Sequence, residues 1–464
     1  MEAPENLLHL LRTWGRLTAG EVASRLGISR PTLMRAVRTL GPQVVSLGLG
    51  RRTAYAARRS LRGHLAALPV YRIDESGQAH EVAALAPLHP TGCALTWREA
   101  SPWPLDADME DGWFDGLPYL LDDMRPQGFL GRHFARAHAH MLQVGPDPQR
   151  WSEDDALHAL SLLGQDSVGC YVVGEPALRA WLARASDEPQ PLKDGQLRTA
   201  YPQLADAALS EGEVGSSAGG EFPKFTALRQ VDGQLRHVLV KFSGADNSPG
   251  TQRWTDLLVC EHLASQVIAD HLQLPAASTR LLQAGGRTFL EVDRFDRHGL
   301  RGRSPVCSWA ALNGGLLGLP SHAWVLGAQA LQTRGWLAGD TASAIARLWH
   351  FGHLIANTDM HDGNLAFRPG ASTSPTSARR PLLSLAPIYD MLPMRYAPPR
   401  AAEVLTPAFT PQRPLPSEAG PWREALPAAQ AFWGMAAQDK RISAGFRRVC
   451  EVNHEVLGQI HKSE

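Results

Sequence analysis

Residues 355–367, IANTDMHDGNLAF, pack Asp359, His361, Asp362 and Asn364 into six residues with apolar residues on both sides. The apolar flanks belong in a core, and ionised groups do not enter a core unpaired. The stretch therefore predicts a tight bend between buried segments, crowded with metal-seeking and proton-handling groups. Whatever this chain folds into must hold that bend rigid.

At 464 residues the chain exceeds one ordinary core, and two to four domains are expected. Hydrophobic content of 44% and charged content of 20% are those of a folded protein. The zero net charge hides an asymmetry: residues 1–59 hold ten Arg, no Lys and three Glu, a local charge of +7. Such an excess points to a polyanion partner for the N-terminus. The five cysteines, Cys93, Cys170, Cys260, Cys307 and Cys450, lie far apart with no CxxC pair. That argues against a zinc ribbon or disulfide framework and for buried free thiols in a reducing compartment. No signal peptide is evident at the N-terminus, and no apolar run reaches the ~20 residues that span a bilayer. A cytoplasmic location is expected.

The N-terminal stretch reads as a winged helix-turn-helix. Leu7, Leu8, Leu10 and Leu11 recur at helical spacing. Thr18 and Glu21 form a capping box, Gly27 ends the short second helix, and Ser29 caps a third with Pro31 in its first turn. Ile28, Leu33, Val37 and Leu40 can face the core, leaving Arg30, Thr32, Arg35 and Arg38 mostly outward. The following QVVSLGLGRRTAYAARR reads as strand, Gly-rich bend, strand. A DNA-binding module is expected, with Arg30, Thr32 and Arg35 entering the major groove and Arg51 and Arg52 taking phosphates. The plain alternative is a three-helix module with a solvated basic face.

Residues 61–150 predict short strands over ALPVYRIDESGQAHEVAALAPLHPTGCALTW and helix around a Pro-Gln-Gly break at 126–128. Ser152 is placed to cap a helix that leads into a strand. Stretches 369–381 and 397–421, rich in Pro, Ser and Ala, read as loops. Three further stretches carry chemistry. GEVGSSAGGEFPKFTAL, 212–228, places Gly215, Gly219 and Gly220 around Ser216 and Ser217. Such glycines let backbone N–H groups cradle a phosphate, although taken alone they more commonly mark a flexible hairpin turn. Lys241 ends the apolar run in RHVLVKFSG, and Glu261 lies on a downstream amphipathic helix and could pair with it. Asp390 follows a short apolar run in PIYDMLP; alone it would be a turn former.

The order of these pieces says more than any one of them. Asp359 and Asn364 stand at the interval of the catalytic Asp and Mg²⁺-binding Asn of a kinase loop, and Asp390 follows where a second metal carboxylate is needed. Mg²⁺ takes oxygen ligands, which Asn and Asp supply. His361 would orient the loop. Phosphoryl transfer needs a base, a metal ligand and a rigid loop close together, which accounts for the crowded bend.

SSAGGEFPKF, VLVKF, EVDRFDR, NTDMHDGN and PIYDMLP, in that order, resemble the signature segments of HipA-type toxin kinases. The resemblance spans about residues 61–450, and the fused helix-turn-helix is similar to the YjjJ-like (HipH) branch. It implies an α+β fold: a winged helix-turn-helix over 1–60, a β-rich HipA N-terminal subdomain over 61–150, a kinase-like N-lobe over 151–300 and a mostly helical C-lobe over 301–464. It also implies an ATP- and Mg²⁺-dependent serine/threonine kinase of a type II toxin-antitoxin system. By motif, Ser216 resembles the autophosphorylated serine of the Gly-rich loop containing Gly219 and Gly220. Lys241 resembles the ATP-phosphate lysine, with Glu261 its helix partner. Asp293 and Phe295 resemble the hinge that meets adenine, although EVDRFDR by itself reads as an alternating strand with surface ion pairs. Asp359 resembles the catalytic base, and Asn364 and Asp390 the Mg²⁺ ligands. Implied partners are a protein substrate such as a translation factor, a small DNA-binding antitoxin, DNA and a second copy. Where many members carry Lys before the loop Asn, this chain has Gly363; Lys224 stands where it could supply charge instead. Two alternatives stay open: a DNA-binding regulator with an inactive kinase domain, and a metal-dependent deoxyribonuclease using Asp359, His361, Asp362 and Asp390.

Overall fold

The structure is a computed structural model that describes residues 3–186, 190–210, 222–370, 383–399 and 404–463. Its first unit holds helices Ala3–Trp14, Ala19–Leu26 and Arg30–Leu40. Beside them lies an antiparallel sheet in the order Leu17–Thr18, Ala54–Ala57, Val44–Leu47. The expected caps are present. Glu21 N–H donates to Thr18 Oγ1 at 3.3 Å and Thr18 N–H to Glu21 Oε2 at 2.7 Å. Gly27 takes φ 63°, and Ser29 Oγ accepts from Thr32 N–H at 3.3 Å. Leu7, Leu11, Val22, Leu33 and Leu40 close the core, with Ile28 and Val37 packed at its edge.

Strand Ala54–Ala57 is buried at all four positions, which a hairpin with one wet face would not show. Its second face, with Val45, packs on Ala86, Leu88, Ala94 and Trp113 of the next unit. That unit is a five-stranded antiparallel sheet in the order Trp113–Phe114, Cys93–Trp97, Ala79–Pro87, Leu68–Ile73, Tyr171–Val173. The last strand lies beyond the expected boundary at 150, so helix Glu153–Leu163 and its Ser152 capping box belong to this layer.

A second sheet, ordered Thr279–Ala284, Arg287–Asp293, Gln234–Phe242, Lys224–Val231, is antiparallel throughout. Strand alternation gives its two faces different work. Val238, Val240 and Phe242 pack against Tyr201 and Ala205 of helix Leu197–Ser210; Leu239 and Lys241 face the other way, into a cavity. Helix Pro249–His271 supports that second face. Its sequence reads as amphipathic, but its buried positions include Arg253, Asp256 and Glu261 as well as eight or more apolar ones. It lies between the sheet and the last helical layer, so it has little solvent face. That layer is built by Trp324–Thr333, Gly339–Leu354, Ala419–Gln438 and Ala444–Ser463 around Phe351, Trp422, Phe432 and Trp433. All five cysteines are buried and unpaired. Among the described residues no helix is long and apolar enough to cross a membrane.

Candidate active site

Lys241 is the electrostatic centre. It sits one residue from the end of strand Gln234–Phe242, paired across to Leu290, and is 4% exposed. Its Nζ donates to Glu261 Oε1 at 2.7 Å and Oε2 at 2.9 Å, and also to Asp390 Oδ1. Burial alone would lower its pKa; the Asp390 and Glu261 carboxylates outweigh burial and hold the ammonium above its usual range. Burial raises Glu261, although Lys241 opposes the rise. Asp390, at the cavity edge, is held below the ordinary carboxylate range because Lys241 outweighs its desolvation. One cation shared by two carboxylates is a charge distribution that an anionic ligand with its own cation can rearrange.

The bend at 355–367 starts where helix Gly339–Leu354 ends. Ala356 and Asp390 both take positive φ, near 59°, conformations that surrounding contacts must hold in non-glycine residues. The contacts are present. Asp359 N–H donates to Asn357 Oδ1 at 3.0 Å, and Asn364 Nδ2 donates to the Asp359 carbonyl at 2.7 Å. Tyr389 Oη donates to the Gly363 carbonyl at 2.7 Å, tying the bend to the residue beside Asp390. His361 is exposed and accepts from Gly363 N–H through Nδ1 at 3.0 Å, capping the short turn Asp362–Asn364. A Cβ at Gly363 would stand 2.9 Å from His361 Cε1, so His361 occupies part of the space that a lysine there would need. The Asp359 carboxylate is exposed and Asn364 is buried.

A cavity of about 540 Å³ opens beside Lys241. Its walls include Leu239, Lys241, Glu261, Asp293, Phe295 and Asp390. The Asp293 carboxylate takes Arg236 Nη1 at 3.0 Å, and the Phe295 ring lies between Tyr389 and the Arg368 guanidinium. Asp359, His361 and Asn364 are not in the cavity wall; their bend is tied to it through the Tyr389–Gly363 hydrogen bond. Ser216, Gly219 and Gly220 lie outside the described residues.

Two features were not legible in the sequence. The opposite cavity wall comes from the five-stranded unit: Arg125, Gln127, Phe134, Leu163 and Val168 face the strand residues. Just past strand Arg287–Asp293, Asp296 accepts from Arg294 Nη2 at 3.0 Å and Gly169 N–H at 2.9 Å and also pairs with Arg297. Arg297 reaches on to the Ser167 carbonyl at 2.7 Å. These arginines lower Asp296 despite its burial, and burial among like charges lowers Arg303 to about 9. RFDR hints at ion pairs, but nothing in it names loop 164–169 as their partner.

The four-residue metal set weighed for a nuclease is not assembled. Among the described residues no three of His, Cys, Asp and Glu come together as a metal-binding group. Asp362 Oδ1 instead accepts the His322 N–H at 2.8 Å.

Similarity to known proteins agrees with this layout. Residues 64–182 match the YjjJ-like toxin middle domain, and residues 216–453 match the HipA-like C-terminal domain. Toxin YjjJ of Escherichia coli (strain K12) is 37% identical over 448 residues, 97% of this chain and 96% of that protein. The chain belongs to the HipA-like toxin family. Among solved structures, HipA of Shewanella oneidensis MR-1, from a complex of HipA, HipB and operator DNA, matches with a TM-score of 0.51 and 13% identity, covering 86% of this chain and 100% of that one. At that identity the likeness is one of fold: this HipA-like toxin shares the HipA architecture.

Proposed function

We propose that this HipA-like toxin is an ATP- and Mg²⁺-dependent serine/threonine kinase of a toxin-antitoxin system, carrying its own winged helix-turn-helix over residues 1–60. One observation carries the reading: buried Lys241, bonded to Glu261 and Asp390, lies on the wall of a cavity that Asp293 and Phe295 also line. A lysine locked by a helix carboxylate is the arrangement that holds nucleotide phosphates in kinases.

The donor set fits a hard cation. Asn364 and Asp390 offer oxygen, and Asn364 spends its Nδ2 on the Asp359 carbonyl, which leaves Oδ1 as its free end. Bound Mg²⁺ would neutralise charge on the phosphates and the transferred group. In this reading Glu261 orients Lys241, and Lys241 donates N–H to phosphate oxygens. Asp359 accepts the proton of a substrate hydroxyl, and His361 and Tyr389 keep its loop rigid. Asp293 and Phe295 bound the adenine end. Ser216 is the proposed autophosphorylation site, in a phosphate-cradling loop with Gly219 and Gly220. Lys224 supplies charge that Gly363 does not.

The first unit is proposed to bind DNA. Arg30 and Arg35 are exposed on helix Arg30–Leu40, while the Thr32 hydroxyl is engaged by Ser29 and by Arg35 Nη2 at 3.3 Å. Arg51 and Arg52 are exposed on the turn Gly50–Arg52, where Arg52 also pairs with Asp111 at 3.2 Å. The related HipA was solved with HipB and operator DNA, which supports a small DNA-binding antitoxin as partner here. A protein substrate such as a translation factor, and a homodimer reading two half-sites, complete the proposal.

The test is purified protein with γ-labelled ATP and Mg²⁺, beside Asp359→Ala and Ser216→Ala. Label on protein that vanishes with Asp359→Ala is expected, and its loss with Ser216→Ala would place the site. No label while ATP still binds would overturn the kinase reading and leave a DNA-binding regulator.

A further inference from the structure

A second cavity, of about 220 Å³, lies in the helical layer away from Lys241. Its floor is helix Gly339–Leu354, through Trp349, His350 and His353; Glu418 and Trp422 close one side, and Gln412 and Arg413 form the roof. The segment leading to the roof is anchored at residues 408–409. Phe409 packs on Trp433 with ring centroids 6.1 Å apart, and Arg395 Nη2 donates to the Ala408 carbonyl at 3.0 Å.

His350 points to a ligand. It is 7% exposed, lines the cavity, and makes no hydrogen bond among the described residues. Burial keeps the imidazole neutral, against the pull of Glu418, so it has one N–H to donate and one nitrogen to accept. Its ring nitrogens are not sealed in the core but open onto the cavity, where a polar ligand would bond them. The rest of the lining selects the class. It carries one cation, Arg413, with no ion-pair partner among the described residues, and one anion, Glu418. Glu418 uses Oε2 on the Leu415 N–H at 3.1 Å and keeps its other oxygen. A pure anion or a pure cation would leave one of the two charges unmatched. The Trp349 ring is held against His353 and Trp324 at 4.6 and 5.5 Å, and with Trp422 it offers apolar surface. The volume lies below the roughly 300 Å³ at which drug-sized pockets begin, so the ligand is small. His350, His353 and Glu418 are not assembled as a metal-binding group.

We propose that this cavity binds a free α-amino acid, its carboxylate on Arg413 and the His350 N–H, its ammonium on Glu418 and its side chain against the tryptophans. The experiment uses the full chain and the proteinogenic L-α-amino acids one by one, read by ligand-observed NMR and thermal shift. At least one member of the panel is expected to bind in the millimolar range or tighter. Arg413→Ala, at an exposed position, Glu418→Gln, which keeps the Leu415 cap, and His350→Phe, which keeps the ring, are each expected to weaken binding about tenfold or more. The matching amine without its carboxylate should bind about tenfold less well. Circular dichroism and melting temperature of Arg413→Ala should equal those of the parent, so its loss of binding would not be unfolding. The proposal is overturned if no panel member binds, if binding survives all three substitutions, or if the amine binds as well as the amino acid.

Discussion

Lys241 shows how much one residue can hold. Its partner Glu261 is as buried as Lys241 itself, and breaking a buried pair from one side leaves an uncompensated charge. Lys241→Met should therefore destabilise the protein by about 3–5 kcal/mol, measured by urea unfolding. The pH dependence has a definite sign. In the parent, Asp390 sits below its ordinary range, so its stabilisation is full above its unfolded pKa of about 4 and fades as pH falls through the lower folded value. In Lys241→Met the two carboxylates have lost their cation and their pKa values rise. Acid then relieves the variant before it harms the parent. The melting-temperature gap should narrow between about pH 8 and pH 5; a constant gap would show that the charges do not carry the cost.

Elements carry separate parts of the stability. Thr18→Ala removes the hydroxyl half of the capping box, which accepts the Glu21 N–H, and leaves the backbone N–H of residue 18 on the Glu21 carboxylate; it should cost about 1 kcal/mol, read in the first unit. Gly27→Ala puts a Cβ on a residue at φ 63° and should cost roughly 1–2 kcal/mol. If helix Arg30–Leu40 enters a groove, Arg35→Ala should cost about 1–3 kcal/mol of specific DNA affinity and relax base discrimination, while Arg51→Ala should flatten the salt slope by about one. Asp111→Asn frees Arg52 from its partner and should strengthen binding at low salt. Unchanged base discrimination in Arg35→Ala together with an unchanged slope in Arg51→Ala and Asp111→Asn would remove that helix and its hairpin from the DNA surface.

The molecule as a whole is coupled through shared cores. Trp113, 4% exposed, sits in the cluster that joins the first unit to the five-stranded sheet. Trp113→Ala should cost about 3–5 kcal/mol and separate the melting of residues 3–57 from the rest, visible as two calorimetric transitions where the parent is expected to give one for this pair. The thiols report the same cooperativity. Burial pushes Cys93 and Cys170 up to about 12, so thiolate is scarce and access is closed. A thiol reagent should label none of the five in the native protein at pH 8 and all five on unfolding. Early labelling of Cys93 alone would mark the first interface as the weak one.

Much of this protein was legible locally. Capping box, Gly27 turn, Ser29 cap and buried thiols depend on short-range chemistry, and the structure has each where the sequence places it. Lys241, Glu261 and Asp390 were readable as a set from their order along the chain, which matches that of kinase motifs; whether Glu261 meets Lys241 or solvent was settled by the fold. What the sequence could not determine is set by contacts between distant segments. The second buried face of Ala54–Ala57, the loss of a solvent face on Pro249–His271, the far wall of the cavity and the partners of Asp296 come from units packing together. No local pattern encodes which apolar surface another will cover. Local backbone preference set the caps and turns; burial between units decided how many walls enclose the cavity beside Lys241.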